Sequence, residues 1–184
     1  MTQASSPAQA GILVENLGNA DERIVRIILN RPERLNALGV DMVDALHQAV
    51  SQAIALPARV LLIRGTGRAF CAGADLKERR GMDEAARMAH NRAINVVIDM
   101  LDAAPMPTIA VINGLALGGG CEMALACDLR LGADDISIGL TEARIGAIPG
   151  AGGTQRLPRA IGAARALEMM LIGEPVTGTR AAQI

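Results

Sequence analysis

Asn113-Gly114-Leu115-Ala116-Leu117-Gly118-Gly119-Gly120-Cys121-Glu122 is the stretch on which the fold turns. Just before it, Thr108–Ile112 is a continuous apolar run, which suits a strand buried on both faces. Just after the glycines, Cys121–Cys127 is small and apolar apart from Glu122 and predicts a helix. Glycine lets the backbone turn tightly where a helix packs on a sheet. Leu129–Leu131 then reads as a further strand. Strand, turn, helix, strand is the succession of an α/β layered fold.

The same alternation extends outward in both directions. Ile12–Leu17 and Ile24–Leu29 are short apolar runs flanking Gly18-Asn19-Ala20-Asp21, a β-hairpin pattern. Val43, Leu46, Val50, Ala53 and Ile54 recur at helical spacing between Val40 and Leu56. Val60–Ile63 suits a buried strand. Asp83–Leu101 is helical, with Ala86, Ile94, Val97, Ile98 and Leu101 facing inward and Pro105 and Pro107 beyond its end. Thr154–Pro158 and Gly162–Ile172 predict helices, Val176 a short strand, and Thr179–Ile184 the start of another helix. No repeat or internal linker interrupts the series.

The 184 residues fit one domain, 51% hydrophobic and 20% charged. A net charge of −1 gives no bulk attraction for nucleic acid, and Phe70 as the lone aromatic leaves no stacking platform for bases. On these grounds no nucleic-acid partner is expected. The longest charge-free stretch, Ala103–Cys121, contains two prolines and four glycines, which argues against a membrane span. Cys71, Cys121 and Cys127 have no metal-ligand spacing and suggest reduced thiols, hence a cytoplasmic protein. Residues 1–11 are polar and uncharged, are expected to be flexible, and lack the features of a signal or transit peptide.

Two glutamates 20 positions apart carry the strongest chemical signal. Glu122 follows the glycine run; Glu142 precedes Ala143-Arg144-Ile145-Gly146 and the Pro149-Gly150-Ala151-Gly152-Gly153 turn. Each has a structural alternative, as a carboxylate satisfying a helix N-terminus or as part of a capping pair. Glu122, however, sits among small and apolar neighbours. Two carboxylates in one dry pocket would have their proton affinities pushed apart, leaving one as acid and one as base. Bare backbone at Gly118–Gly120 and at Phe70–Lys77 could supply amides for a developing oxyanion. Asp75 and Lys77 read equally well as a solvated turn pair. There is no P-loop, and no Gly-x-Ser-x-Gly element of a serine hydrolase.

Phe70-Cys71-Ala72-Gly73-Ala74-Asp75-Leu76-Lys77-Glu78, the Asn113–Glu122 stretch and Ile148-Pro149-Gly150-Ala151-Gly152-Gly153-Thr154-Gln155-Arg156-Leu157 together resemble the enoyl-CoA hydratase/isomerase (crotonase) superfamily. The resemblance runs from about Leu13 to the C-terminus. Cys71–Arg79, Leu125–Arg130 and Gly153–Gly162 most resemble methylglutaconyl-CoA hydratase and its near hydratase relatives. It implies an α/β spiral of ββα units, assembled as a trimer or a dimer of trimers. It also implies helices following the position of Ile184, so that residues 12–184 form an incomplete spiral core. It carries an oxyanion hole onto the amides of Ala74 and Gly119, and the two catalytic acids onto Glu122 and Glu142. Substrate contacts map onto Ala74, Asp75, Leu76 and Lys77, with Lys77 meeting the phosphates of coenzyme A and Arg34 lying beside the adenosine. No cofactor is implied, because coenzyme A is part of the acyl-CoA substrate. The implied reaction is hydration of a 2-enoyl-CoA, including branched methylglutaconyl-like ones. Another crotonase reaction (isomerisation or decarboxylation) and a non-catalytic acyl-CoA-binding fragment are the alternatives.

Overall fold

In a computed structural model of the protein, which describes residues 11–17, 23–56 and 58–184, two sheets run side by side along the chain. Strands β1 (Ile12–Leu17) and β2 (Ile24–Leu29) pair antiparallel with Ile12 opposite Leu29, as the hairpin pattern predicts. The expected turn at Gly18–Asp21 and the expected flexible start, save Gly11, lie outside the described residues. After a 3-10 turn at Pro32–Arg34 come α1 (Val40–Ala55), β3 (Val60–Gly65), β4 (Ala69–Cys71), α2 (Leu76–Arg79) and α3 (Glu84–Asp102). The glycine-rich centre forms β5 (Thr108–Ile112), β6 (Leu115–Leu117) and α4 (Gly119–Ala126). Then follow β7 (Leu129–Gly132), β8 (Ser137–Gly139), a 3-10 turn at Glu142–Ile145, α5 (Gly153–Ile161), α6 (Ala163–Ile172), β9 (Val176–Thr177) and α7 (Gly178–Ala181).

One sheet has the order β1-β2-β3-β5-β7, parallel from β2 onward; the other has the order β4-β6-β8-β9, parallel through β8. Each turn of the chain therefore lays one strand in each sheet and then a helix outside them: β3-β4-α3, β5-β6-α4, β7-β8-α5. This is the spiral of ββα units expected above.

The three inner strands β4, β6 and β8 are absent from the sequence reading, which had turns or loops there. Each is three residues long. So short a run shows no alternation to read. Helix α5 also runs from Gly153 to Ile161, three residues beyond the predicted end at Pro158. The last helix is Gly178–Ala181, capped by the Thr177 hydroxyl accepting from the Arg180 amide at 3.2 Å, and is shorter than the predicted Thr179–Ile184.

The main core lies between the first sheet and α1 and α3. Ile27, Leu29, Met42, Leu46, Leu61, Ile63 and Ile98 are fully buried, each stabilising by about 1.5–3 kcal/mol. A smaller layer joins α4 to the second sheet. There Gly120 sits so close to β4 that a Cβ would lie 2.0 Å from the Cys71 carbonyl oxygen. Only glycine allows this approach, and it brings the N-terminus of α4 up to the loop after β4.

Candidate functional site

The loop Ala72–Asp75 is gripped from one side by the segment after the first 3-10 turn. The Ala72 amide donates to the Leu35 carbonyl at 3.0 Å, the Leu38 amide to the Gly73 carbonyl at 2.8 Å, and the Asp75 amide to the Leu38 carbonyl at 3.2 Å. Asn36, fully buried, anchors that segment by donating to the Thr66 and Ala69 carbonyls at 3.0 and 2.8 Å. The amide of Ala74, between these bonds, donates to nothing among the described residues. The Gly119 amide, first in α4, is likewise free, as the first amides of a helix are. Gly73 separates the two with φ +86°; a Cβ there would lie 2.9 Å from the Leu117 carbonyl oxygen and 3.0 Å from the Gly119 nitrogen. Two unpaired amides thus come from two different elements, and both residues line one cavity.

Glu122 enters from the first turn of α4 and is only 2% exposed. Its Oε1 accepts from the Ala151 amide at 2.7 Å and the Gly153 amide at 2.9 Å. Burial raises its proton affinity; the two amides and the nearby Arg156 guanidinium pull it back down, and the outcome is a raised pKa. Glu142 opens the second 3-10 turn, and its Oε2 is buried with no hydrogen-bond partner. Its pKa is raised as well, first by burial, then further by the charge of Glu122 and against backbone amides that lower it. Both glutamates line a cavity of about 130 Å3, with Ala74, Leu76, Gly119 and Ile94 also on its walls. Glu122 is therefore not a surface carboxylate.

The glycine turn after Glu142 does more than turn. Asn95 from α3 donates to the Gly150 carbonyl at 2.7 Å, and Arg156 from α5 donates to the Ala151 carbonyl at 3.1 Å. Arg156 also pairs with Asp99 at 2.8 Å and Asp102 at 3.2 Å on α3. Sequence alone did not single out Ala151, Gly153, Asn95 or Arg156. The quoted glycine turn was the available signal, but which of its amides point inward depends on α3 and α5.

Of the residues expected to contact substrate, Ala74 and Leu76 line the cavity; Asp75, Lys77 and Arg34 do not. Asp75 caps α2, its Oδ1 accepting from the Lys77 and Glu78 amides at 3.0 and 3.2 Å. Its other oxygen lies 3.4 Å from the Arg34 guanidinium, so Asp75 and Arg34 are each other's partners. Lys77 is exposed beside them. Cys71 and Cys127 are buried thiols pushed up to about 12 by burial, and burial pushes Cys121 higher still. Among the described residues no group of three or more His, Cys, Asp or Glu could hold a metal ion, and no helix is long and apolar enough to cross a membrane.

Comparison with known proteins agrees with this fold. The family model described as enoyl-CoA hydratase/isomerase matches residues 19–184. The human enoyl-CoA hydratase domain-containing protein 2, mitochondrial, is 46% identical over 182 residues, covering 97% of this chain and 62% of the relative. The rat methylglutaconyl-CoA hydratase, mitochondrial, is 42% identical over 170 residues, covering 91% of this chain and 54% of the relative. The crystal structure of an enoyl-CoA hydratase from Bacillus anthracis superposes with a TM-score of 0.88 at 43% identity, over 94% of this chain and 67% of that one. The chain thus spans less than two thirds of the length of these curated relatives. On fold, motif order and similarity together, the chain belongs to the enoyl-CoA hydratase/isomerase family.

Proposed function

We propose that the protein adds water across the α,β double bond of a 2-enoyl-CoA thioester. The observation that carries this reading is the pairing of the buried Glu122 and half-buried Glu142 carboxylates with two free amides around one cavity. The thioester oxygen would sit between the Ala74 and Gly119 amides, which stabilise the enolate-like charge as it forms, by about 3–4 kcal/mol per donor. Glu122, held in place by two amides, serves as the base that takes a proton from water as its oxygen bonds to Cβ. Glu142, whose proton is favoured by burial and by the Glu122 charge, delivers a proton to Cα. Water thus adds without any cofactor beyond the coenzyme A of the substrate. Lys77 would meet the coenzyme A phosphates, with Arg34 near the adenosine and the Asp75–Arg34 pair holding the loop. Assembly of the protein as a trimer or a dimer of trimers, and a place in the reducing cytoplasm, belong to the same reading.

The test is the loss of absorbance of the conjugated enoyl thioester on crotonyl-CoA. Glu122→Gln and Glu142→Gln should each lower turnover at least about a hundredfold, the scale of a positioned acid or base. Affinity for the thioester should persist. Near-normal turnover in either folded variant removes that residue from the mechanism.

A further inference from the structure

Residues 143–148 and Gly150 are exposed, yet they join two points of the site: the 3-10 turn that opens with Glu142, and the buried Ala151, whose amide binds Glu122. Ala147, Ile148, Gly150 and Ala151 also form one wall of the cavity. Little fastens this wall. Among the described residues the amides of Ile148 and Gly150 donate no hydrogen bond, and Pro149 has no N–H to donate. The fixed point is the Gly150 carbonyl. It accepts from Asn95 Nδ2 at 2.7 Å and, at a longer 3.4 Å, from Asn91 Nδ2, both on α3.

Asn95 differs from Asn91 in two ways. Its nitrogen also donates to the Asn91 carbonyl one helical turn back at 2.8 Å, so both of its N–H groups are committed and the side chain is fixed. Asn91 lines the cavity and bonds Arg79 as well, whereas Asn95 is not on the cavity wall. Whatever Asn95 does for the site, it does through the peptide it holds.

The Gly150 carbonyl and the Ala151 amide are two ends of one planar peptide. Asn95 grips its oxygen, and Glu122 Oε1 accepts from its nitrogen at 2.7 Å. Fixing a rigid plane at the oxygen fixes the direction of its N–H. Hydrogen bonds in series also polarise one another. Glu122 takes both of its amide bonds, from Ala151 and Gly153, on Oε1, which leaves Oε2 as the oxygen to meet water. We propose that Asn95 is a positioning residue for Glu122: it holds the Gly150–Ala151 peptide so that the amide is aimed at Oε1 and Oε2 is presented to the reacting water. This rests on the part given to Glu122 as base in the hydratase reading.

Two measurements test it, one of them without turnover. Hydrogen exchange of fragments spanning residues 147–152, read by mass spectrometry against fragments of β2, reports on the Ala151 amide. Asn95→Leu keeps the bulk and removes the donor. It should speed that exchange about fivefold or more, the scale of one neutral hydrogen bond, and leave β2 unchanged. On crotonyl-CoA the same variant should lose kcat by a similar factor, with little change in affinity for butyryl-CoA, a saturated thioester that cannot be hydrated. The acid limb of its kcat/KM profile should move to higher pH, because an amide aimed at a carboxylate favours the ionised form. Unchanged exchange overturns the proposal, whatever the turnover. An unmoved acid limb also overturns it and leaves Asn95 a structural tie. Should Asn95→Leu fail to fold, Asn95→Asp has the same size and no N–H to donate, and unchanged exchange in that variant decides against the proposal. Faster exchange at Ala151 in a protein whose unaltered form does not hydrate crotonyl-CoA supports the positioning of Glu122 and sinks the hydratase reading alone.

Discussion

At the scale of single residues, Glu142 is held where its charge is disfavoured. Its Oε2 is buried without a partner, and the Glu122 charge is near. Its pKa in the folded protein lies above the unfolded value, so this carboxyl favours folding while protonated. That contribution is complete below the unfolded value, about 4.3 for glutamate, and is lost as pH rises through the folded value. At pH 8 the ionised group therefore weighs against the fold. Glu142→Gln should melt above the unaltered protein at pH 8, by about 2–4 °C per kcal/mol of repulsion removed. The gap should narrow as pH falls towards the ordinary carboxylate range. Calorimetric melts across that range check this, and an equal or lower midpoint at pH 8 contradicts it. Such a variant would be sturdier and inactive, the trade expected where a site holds unfavourable charge.

At the scale of elements, the site is a meeting of four backbone segments held by side chains that never enter it. Asn36 anchors the segment that grips the Ala74 loop. Arg156 ties α5 to Asp99 and Asp102 of α3 and to the Ala151 carbonyl, and so sets the amide that holds Glu122. Its charge also lowers the proton affinity of Glu122. Arg156→Leu should therefore raise the Glu122 pKa and move the acid limb of the kcat/KM profile to higher pH, with a loss of about tenfold or more near neutrality. A profile of reduced height with an unmoved acid limb would leave Arg156 a purely structural tie. α2 shows the same economy of means: four residues form a helix because the buried Asp75 carboxylate satisfies two of its first amides.

For the whole molecule, the telling feature is the apolar surface on the outer side of the last turn of the spiral. Leu167, Leu171 and Ile172 of α6 are 55%, 70% and 56% exposed, and Ile145 in the 3-10 turn packed on that helix is 58% exposed. Each such side chain forgoes about 1.5–3 kcal/mol of burial while it faces water. Contiguous exposed aliphatic groups favour association. The 184-residue polypeptide made by itself should self-associate at micromolar concentration, and Leu167→Glu with Leu171→Glu should reverse this. Light scattering with increasing concentration reads the effect. A monodisperse, unaltered polypeptide showing a monomer's mass at about 50 μM would contradict the surface argument.

Much of this architecture is written in local chemistry. The long apolar periods of α1 and α3, the continuous runs of β3 and β5, and the hairpin pattern of β1 and β2 are properties of adjacent residues, and they sit where the sequence places them. Glu122 and Glu142 stand out for the same reason: each is a charge beside small or glycine-rich neighbours. Other features depend on partners distant in the chain. The strands β4, β6 and β8 are too short to show a period and exist because each hydrogen-bonds to a strand one turn of the spiral away. The amides of Ala151 and Gly153 reach Glu122 across 29 and 31 positions, and no pattern in the glycine turn says which of its amides face inward. Asp75 and Arg34 looked like separate contacts until the fold set them 3.4 Å apart. Arg79 reads as one more surface arginine until α2 and α3 leave it half-buried against His90 and Asn91, with no carboxylate within 4 Å among the described residues. Sequence determines what each segment prefers alone; pairing, burial and the electrostatics that follow are set only when segments far apart in the chain exclude water together.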